Sequence, residues 1–206
     1  MAKNETDVQR LDVNGALLMP GFLDEAMQRQ ILEDVRQITR LAPLYAPMTR
    51  RGPMSVRMTS AGAFGWVTDR KGYRYESRHP QGTEWPPIPA SILKVWDEVS
   101  GANRPPECCL VNFYGEGARM GLHQDKDEAD FSQPVLSISL GDDGLFRVGG
   151  VERGGRTKSA WLHSGDVVVL RDEARLAYHG VDRIRFGTSP LLNQSGRLNL
   201  TLRVVT

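Results

Sequence analysis

Arg197-Leu198-Asn199-Leu200-Thr201-Leu202-Arg203 alternates polar and leucine side chains without a break. Residues two apart in a strand point the same way, so one face carries Arg197, Asn199, Thr201 and Arg203 and the other carries the leucines. Two arginines on one polar face fit the interior of a closed β-structure when an anion lies between them, because the planar guanidinium fork binds a carboxylate through two hydrogen bonds. An exposed edge strand with ordinary surface charge accounts for the same alternation equally well on local grounds. Upstream, short β-branched or alternating runs recur at Cys108–Tyr114, Val135–Leu140, Leu145–Val148, Lys158–Leu162, Val167–Leu170 and Arg175–Tyr178, and the quoted run extends to Val205. Turns rich in glycine and aspartate separate them, among them Gly141-Asp-Asp-Gly144, Gly149-Gly150, Gly154-Gly155 and Ser164-Gly165-Asp166. Short strands at such spacing predict a sandwich or barrel.

His123-Gln124-Asp125, together with the distant His179, sharpens that choice. Two imidazoles and a carboxylate can hold one face of an iron(II) ion and leave the opposite face open, as an oxygenase needs for O2 and a cosubstrate. A His-x-Asp pair on a strand or at its exit presents both side chains on one side. Taken alone, three residues of common types are more often a surface cluster. With ligands placed as in a cupin, the expected form is a jelly roll, a double-stranded β-helix.

The first half reads as irregular and helical. Leu17-Leu-Met-Pro-Gly-Phe-Leu23 reads as a strand ended by a turn, after which Asp24 caps a helix with Met27, Ile31, Val35 and Ile38 at helical spacing. A second helix is expected from near Pro89 to before Gly101, with Ile92, Trp96 and Val99 inward. The fold class is therefore mainly β with flanking helices (α+β).

At 206 residues and 40% apolar content, one domain with a sizeable core is expected, residues 108–206 forming the jelly-roll core. No run of eighteen apolar residues occurs, and the polar start Met1-Ala-Lys-Asn lacks a secretory pattern, so a cytoplasmic protein is expected. Cys108 and Cys109 are adjacent in an apolar run and are read as buried thiols rather than metal ligands. Net charge is only +1, yet Arg50, Arg51, Arg57, Arg70, Lys71, Arg74 and Arg78 cluster against only Asp69 and Glu76, which suits phosphate contact or an ordinary solvated face.

The assembled blocks resemble the AlkB family of iron(II)- and 2-oxoglutarate-dependent dioxygenases, in particular its bacterial alkylated-DNA-repair branch. The similarity runs from about Leu17 to Arg203 through Asn112-Phe-Tyr114, His123-Gln-Asp125-Lys-Asp127-Glu128, Ser137-Ile-Ser139, Gly165-Asp166, Arg175-Leu-Ala-Tyr-His179-Gly180 and Arg197 to Arg203. The resemblance implies that His123, Asp125 and His179 hold iron(II). It assigns Arg197, assisted by Tyr114, to the distal carboxylate of 2-oxoglutarate, and Arg203 with Asn112 and Asn199 to the chelating end. The activity it implies consumes O2 and 2-oxoglutarate, releases succinate and CO2, and hydroxylates an N-methyl group that leaves as formaldehyde. The implied substrate is 1-methyladenine or 3-methylcytosine in single- or double-stranded DNA, with RNA, tRNA, a protein side chain or a small molecule as alternatives, handled by a monomer. A non-catalytic metal-binding cupin or nucleic-acid-binding module is the other class, and a structural metal site would have no need of the paired arginines.

A nucleotide-recognition lid is implied over about residues 45–80. Trp66 would stack on an extruded base against His123, since stacking contributes roughly 1–3 kcal/mol per base. Asp127 would favour cationic lesions. Tyr73, Arg74 and Tyr75 would contact phosphate and sugar, with Met58 and Arg153 lining the pocket. The chain departs from the family pattern at Thr49-Arg-Arg-Gly-Pro53, which lacks an expected tyrosine, at Arg171-Asp172 in place of glycines, and at Phe113 in place of arginine.

Overall fold

The leucines of the quoted strand determine how the molecule is layered. In the computed structural model, which describes residues 8–50, 52–69 and 71–206, strand β15 (Arg197–Arg203) is an interior strand of a seven-stranded antiparallel sheet. Its order is β1 (Leu11–Val13), β2 (Ala16–Met19), β13 (Val167–Leu170), β10 (Val135–Gly141), β15, β8 (Cys108–Tyr114) and β5 (Arg57–Gly62). Residues 1–7, Arg51 and Arg70 lie outside the described residues. β15 pairs with β10 on one side and β8 on the other along its whole length, so it is no edge strand.

Leu198, Leu200 and Leu202 join one core cluster with Ile31, Val35 and Ile38 of helix α1 (Glu25–Leu41) and Ile92 and Trp96 of helix α2 (Ala90–Val99). The Asp24 carboxylate accepts from the Met27 N–H at 2.8 Å, satisfying one of the unpaired donors that start α1. On the sheet's other face lies a four-stranded antiparallel sheet, β12 (Lys158–Leu162), β11 (Asp143–Val148), β14 (His179–Arg185) and β9 (Met120–His123). Val135, Val168 and Leu170 of the large sheet pack in one cluster with Phe146, Val148 and Leu162 of the small one. This is the jelly roll, and the polar face of β15 looks into it.

Two expectations need correction. Arg175–Tyr178 is no strand: a 3-10 turn at Asp172–Ala174 precedes it, and β14 begins only at His179. The backbone there folds on itself, with Arg175 N–H bonded to Asp172 O and Ala177 N–H to Ala174 O, while the Arg175 guanidinium is recruited inward. The first half is also richer in strands than its texture implied, contributing the short pair β3 (Met48–Thr49) and β4 (Gly52–Pro53), β5 of the main sheet, and a hairpin of β6 (Gly65–Asp69) and β7 (Gly72–Glu76). The Leu17–Leu23 stretch is a strand ended by a turn, as expected: β2 stops at Met19 and the turn follows at Gly21, whose φ is +56°. The two cysteines are free and buried, on opposite faces of β8.

Candidate active site

Cross-strand pairing brings the histidines together: His123 at the end of β9 sits opposite His179 at the start of β14, with ring centroids 4.6 Å apart. Asp125, just beyond β9, lies between them, Oδ1 3.7 Å from His123 Nε2 and Oδ2 3.6 Å from His179 Nε2. Each imidazole meets a carbonyl through Nδ1, His123 with Gly121 O at 2.9 Å and His179 with Ala177 O at 3.0 Å. A proton fixed on Nδ1 leaves the Nε2 lone pair directed at the shared point, the tautomer a metal ligand needs. All the ligand atoms lie within 4.8 Å of one another.

The Asp125 carboxylate is buried, which opposes its charge, yet Arg203 and then the two histidines hold its pKa well below the usual carboxylate range. Arg203 Nη2 stands 2.8 Å from Asp125 Oδ2, an ion pair without hydrogen-bond alignment, which leaves that oxygen with no hydrogen-bond partner. Glu128, equally buried, lies 3.4 Å from Arg203 Nε and 3.2 Å from Arg175 Nη2. Arg175 donates in addition to Asp125 O and Gln133 O, both at 2.7 Å, tying down the loop that carries the metal-side carboxylate. Sequence reasoning missed Arg175 as a support, because one arginine in an apolar run looks like any polar residue of a strand. It also missed Glu128, which the surrounding acidic run disguised.

Arg197 is wholly buried at the far end of the same strand face. It donates to Ser139 Oγ at 2.7 Å and meets two carbonyls at 3.4 Å, but forms no ion pair among the described residues, and its Nε has no partner. Burial pulls its pKa below the ordinary value, against the opposing pull of Tyr114, Asp166 and Asp143. A buried cation with an unused donor is costly unless an anion joins it. Asn112 Oδ1 is likewise unpartnered, and Asn199 donates to Ser137 Oγ. Arg197, Asn199, Thr201 and Arg203, with Asn112 and Tyr114 from β8, line one cavity of about 460 Å³ that also holds the His–Asp–His group. The donor set fits iron(II), and the buried Arg197 guanidinium, with no carboxylate partner among the described residues, fits an anion beside it.

The hairpin β6–β7 closes the cavity from above. Trp66 and Tyr73 stack with centroids 5.3 Å apart, and Trp66 Nε1 donates to Asp127 Oδ2 at 3.0 Å. Met58 and Arg153 line the same cavity. Arg74 does not. It lies on the opposite face of the hairpin, paired with Asp69 at 3.0 Å and with Glu76. Tyr75 does not line the cavity either. Its hydroxyl sits below, bonded to Glu128 and accepting from Arg203 Nη1 at 3.3 Å. Phe113, at a departure from the family pattern, carries the Arg57 guanidinium over its ring at 4.9 Å, on the side of the sheet away from the cavity.

Comparison with known proteins agrees with this geometry. The chain belongs to the 2OG-Fe(II) oxygenase superfamily, whose family profile matches residues 15–203. It is an iron(II)- and 2-oxoglutarate-dependent dioxygenase that uses O2. Within that class its place is the AlkB family. It is 52% identical over 193 residues to an "Alpha-ketoglutarate-dependent dioxygenase AlkB homolog" of Caulobacter vibrioides, covering 93% of this chain and 88% of the relative. It is 38% identical over 195 residues to the "Alpha-ketoglutarate-dependent dioxygenase AlkB" of Escherichia coli, covering 92% and 89%. The solved structure of OsALKBH1 superposes with a TM-score of 0.79 at 33% identity, over 95% of this chain and 99% of that one.

Proposed function

We propose that this dioxygenase removes N-methyl groups from 1-methyladenine and 3-methylcytosine in DNA, with RNA as a second polymer on which the same chemistry operates. Iron(II) held by His123, Asp125 and His179, with O2 and 2-oxoglutarate, would supply the oxidation that turns the N-methyl group into a hemiaminal, which collapses to formaldehyde and the repaired base. The chain's own residues supply aim and charge. Arg197 and Tyr114 would hold the distal carboxylate, and Arg203, Asn112 and Asn199 the chelating end.

The observation that carries the nucleobase reading is the Trp66–Asp127 contact over the cavity. Trp66 is held flat by Tyr73 on one side and fixed through its N–H, so its ring is organised before a base arrives. Stacking on such a ring contributes roughly 1–3 kcal/mol per base. Asp127 keeps further lone pairs after accepting from Trp66, available to the exocyclic amine of a cationic base. A methyl on the pairing edge is reachable only in an extruded or single-stranded nucleotide, and a lesion that blocks pairing lowers the cost of extrusion.

The test is formaldehyde release, with iron(II) and 2-oxoglutarate, from oligodeoxynucleotides carrying 1-methyladenine or 3-methylcytosine, run beside matched RNA and duplex. Release from the DNA substrates is expected. Steady uncoupled consumption of 2-oxoglutarate, with no formaldehyde from any of these, would overturn the reading.

A further inference from the structure

A second concavity of about 440 Å³ opens beside the cavity and shares Leu122, Arg153 and Tyr178 with it. Its remaining walls are Arg147 of β11, Thr157, and the bare backbone of Gly149, Gly154 and Gly155. No carboxylate lines it. Arg147 is half-buried, donates to Thr157 Oγ1 at 3.1 Å, and lies 3.6 Å from Asp182, which is not among the lining residues. Asp182 is shared with Arg183, 3.7 Å away, so one carboxylate faces two guanidiniums. Gly154 and Gly155 have φ of +100° and +79°, and an added Cβ at either would meet nothing within 4 Å. Those glycines are therefore required by backbone conformation rather than by space, and they leave the main chain of the loop unscreened toward the groove.

The combination is that of a nucleotide subsite: a guanidinium and a hydroxyl for phosphate, exposed backbone beside them, and an aromatic and a leucine for a base face. Its continuity with the cavity through Arg153 sets which nucleotide it takes. We infer that this groove seats the nucleotide adjacent to the lesion, with Arg147 and Thr157 on the intervening phosphate, so that the enzyme reads a short strand rather than a lone nucleotide. The inference rests on the nucleobase reading above and deepens it.

The comparison is between a lesion-bearing mononucleotide and a trinucleotide with the lesion in the centre, each followed by formaldehyde release. The wild type is expected to show a KM at least about tenfold lower for the trinucleotide, a difference of about 1.4 kcal/mol. Arg147→Gln should bring that ratio close to one, and Thr157→Val should lower it part of the way. Binding of an unmodified fluorescent single strand, followed by anisotropy against salt, runs in parallel; losing one phosphate contact lowers its salt slope by about 0.7. A wild type indifferent to strand length, or an Arg147→Gln variant with an unchanged ratio and salt slope, overturns the groove. Absence of turnover on either substrate, with strand binding still weakened in Arg147→Gln, retains the groove and removes the demethylation reading instead.

Discussion

A missing methyl group at position 144 lets Arg197 lie where it does. Gly144 has an ordinary φ, yet a Cβ there would stand 2.8 Å from Arg197 Nε and 3.0 Å from its Cδ and Cζ. Overpacking at such a point costs about 1–3 kcal/mol, and the side chain that must shift is the buried cation. Gly144→Ala is therefore expected to raise KM for 2-oxoglutarate roughly tenfold or more, with KM for the oligonucleotide little changed. Succinate formation at varied 2-oxoglutarate checks it, and an unchanged KM would remove Arg197 from the cosubstrate clamp. At this scale the sequence was informative where chemistry repeats in register: Arg197, Asn199, Thr201 and Arg203 were legible as one face because alternation fixes it. The Trp66–Asp127 bond was not, since the two residues are 61 apart and nothing local to either announces the other.

The hairpin β6–β7 makes the corresponding point for elements. Its register pairs Trp66 with Tyr75 and Thr68 with Tyr73, which puts the aromatics on one face and, by alternation, Val67 and Arg74 on the other. Sequence order alone grouped Tyr73, Arg74 and Tyr75 as neighbours, and only the strand assignment separates the arginine from them. Arg74 spends its guanidinium on Asp69 and Glu76 in a solvent-exposed cluster, an arrangement that contributes little to either stability or substrate. Arg74→Ala should thus leave KM for the oligonucleotide within about twofold, whereas Tyr73→Ala, which strips the support from Trp66, should raise it about tenfold, the equivalent of a lost stacking contact. Equal effects of the two substitutions in steady-state assays would show that the faces are wrongly assigned. The helices and β15 were legible because their periodicity is undisturbed, and β12 and β13 because they are short runs bounded by turns. Arg175–Tyr178 was not, because a buried arginine and a turn at Asp172 imitate a short polar-apolar strand.

Across the whole molecule, the large sheet separates an apolar half, sealed by α1 and α2, from the polar interior that faces the small sheet. β8 lies next to the edge strand β5, paired with it on one side and with β15 on the other, and carries Cys108 and Cys109 with no exposure at all. Burial pushes the Cys108 thiol up to about 11, against the opposing pull of Arg203, and pushes Cys109 higher still. Burial likewise raises the Tyr45 hydroxyl to about 12. Each group holds its proton more tightly folded than unfolded. The Cys108 contribution to stability is therefore complete below its ordinary value of 9.0 and is lost as pH rises through about 11, and those of Tyr45 and Cys109 are lost at higher pH still. The urea midpoint is expected to fall steadily across that alkaline window. Because only the thiolate reacts and neither thiol is reachable, iodoacetamide at neutral pH should label both cysteines no faster than the sheet opens. Rapid labelling of the native protein, or a midpoint unchanged up to pH 11, would contradict the placement of β8 within the sheet.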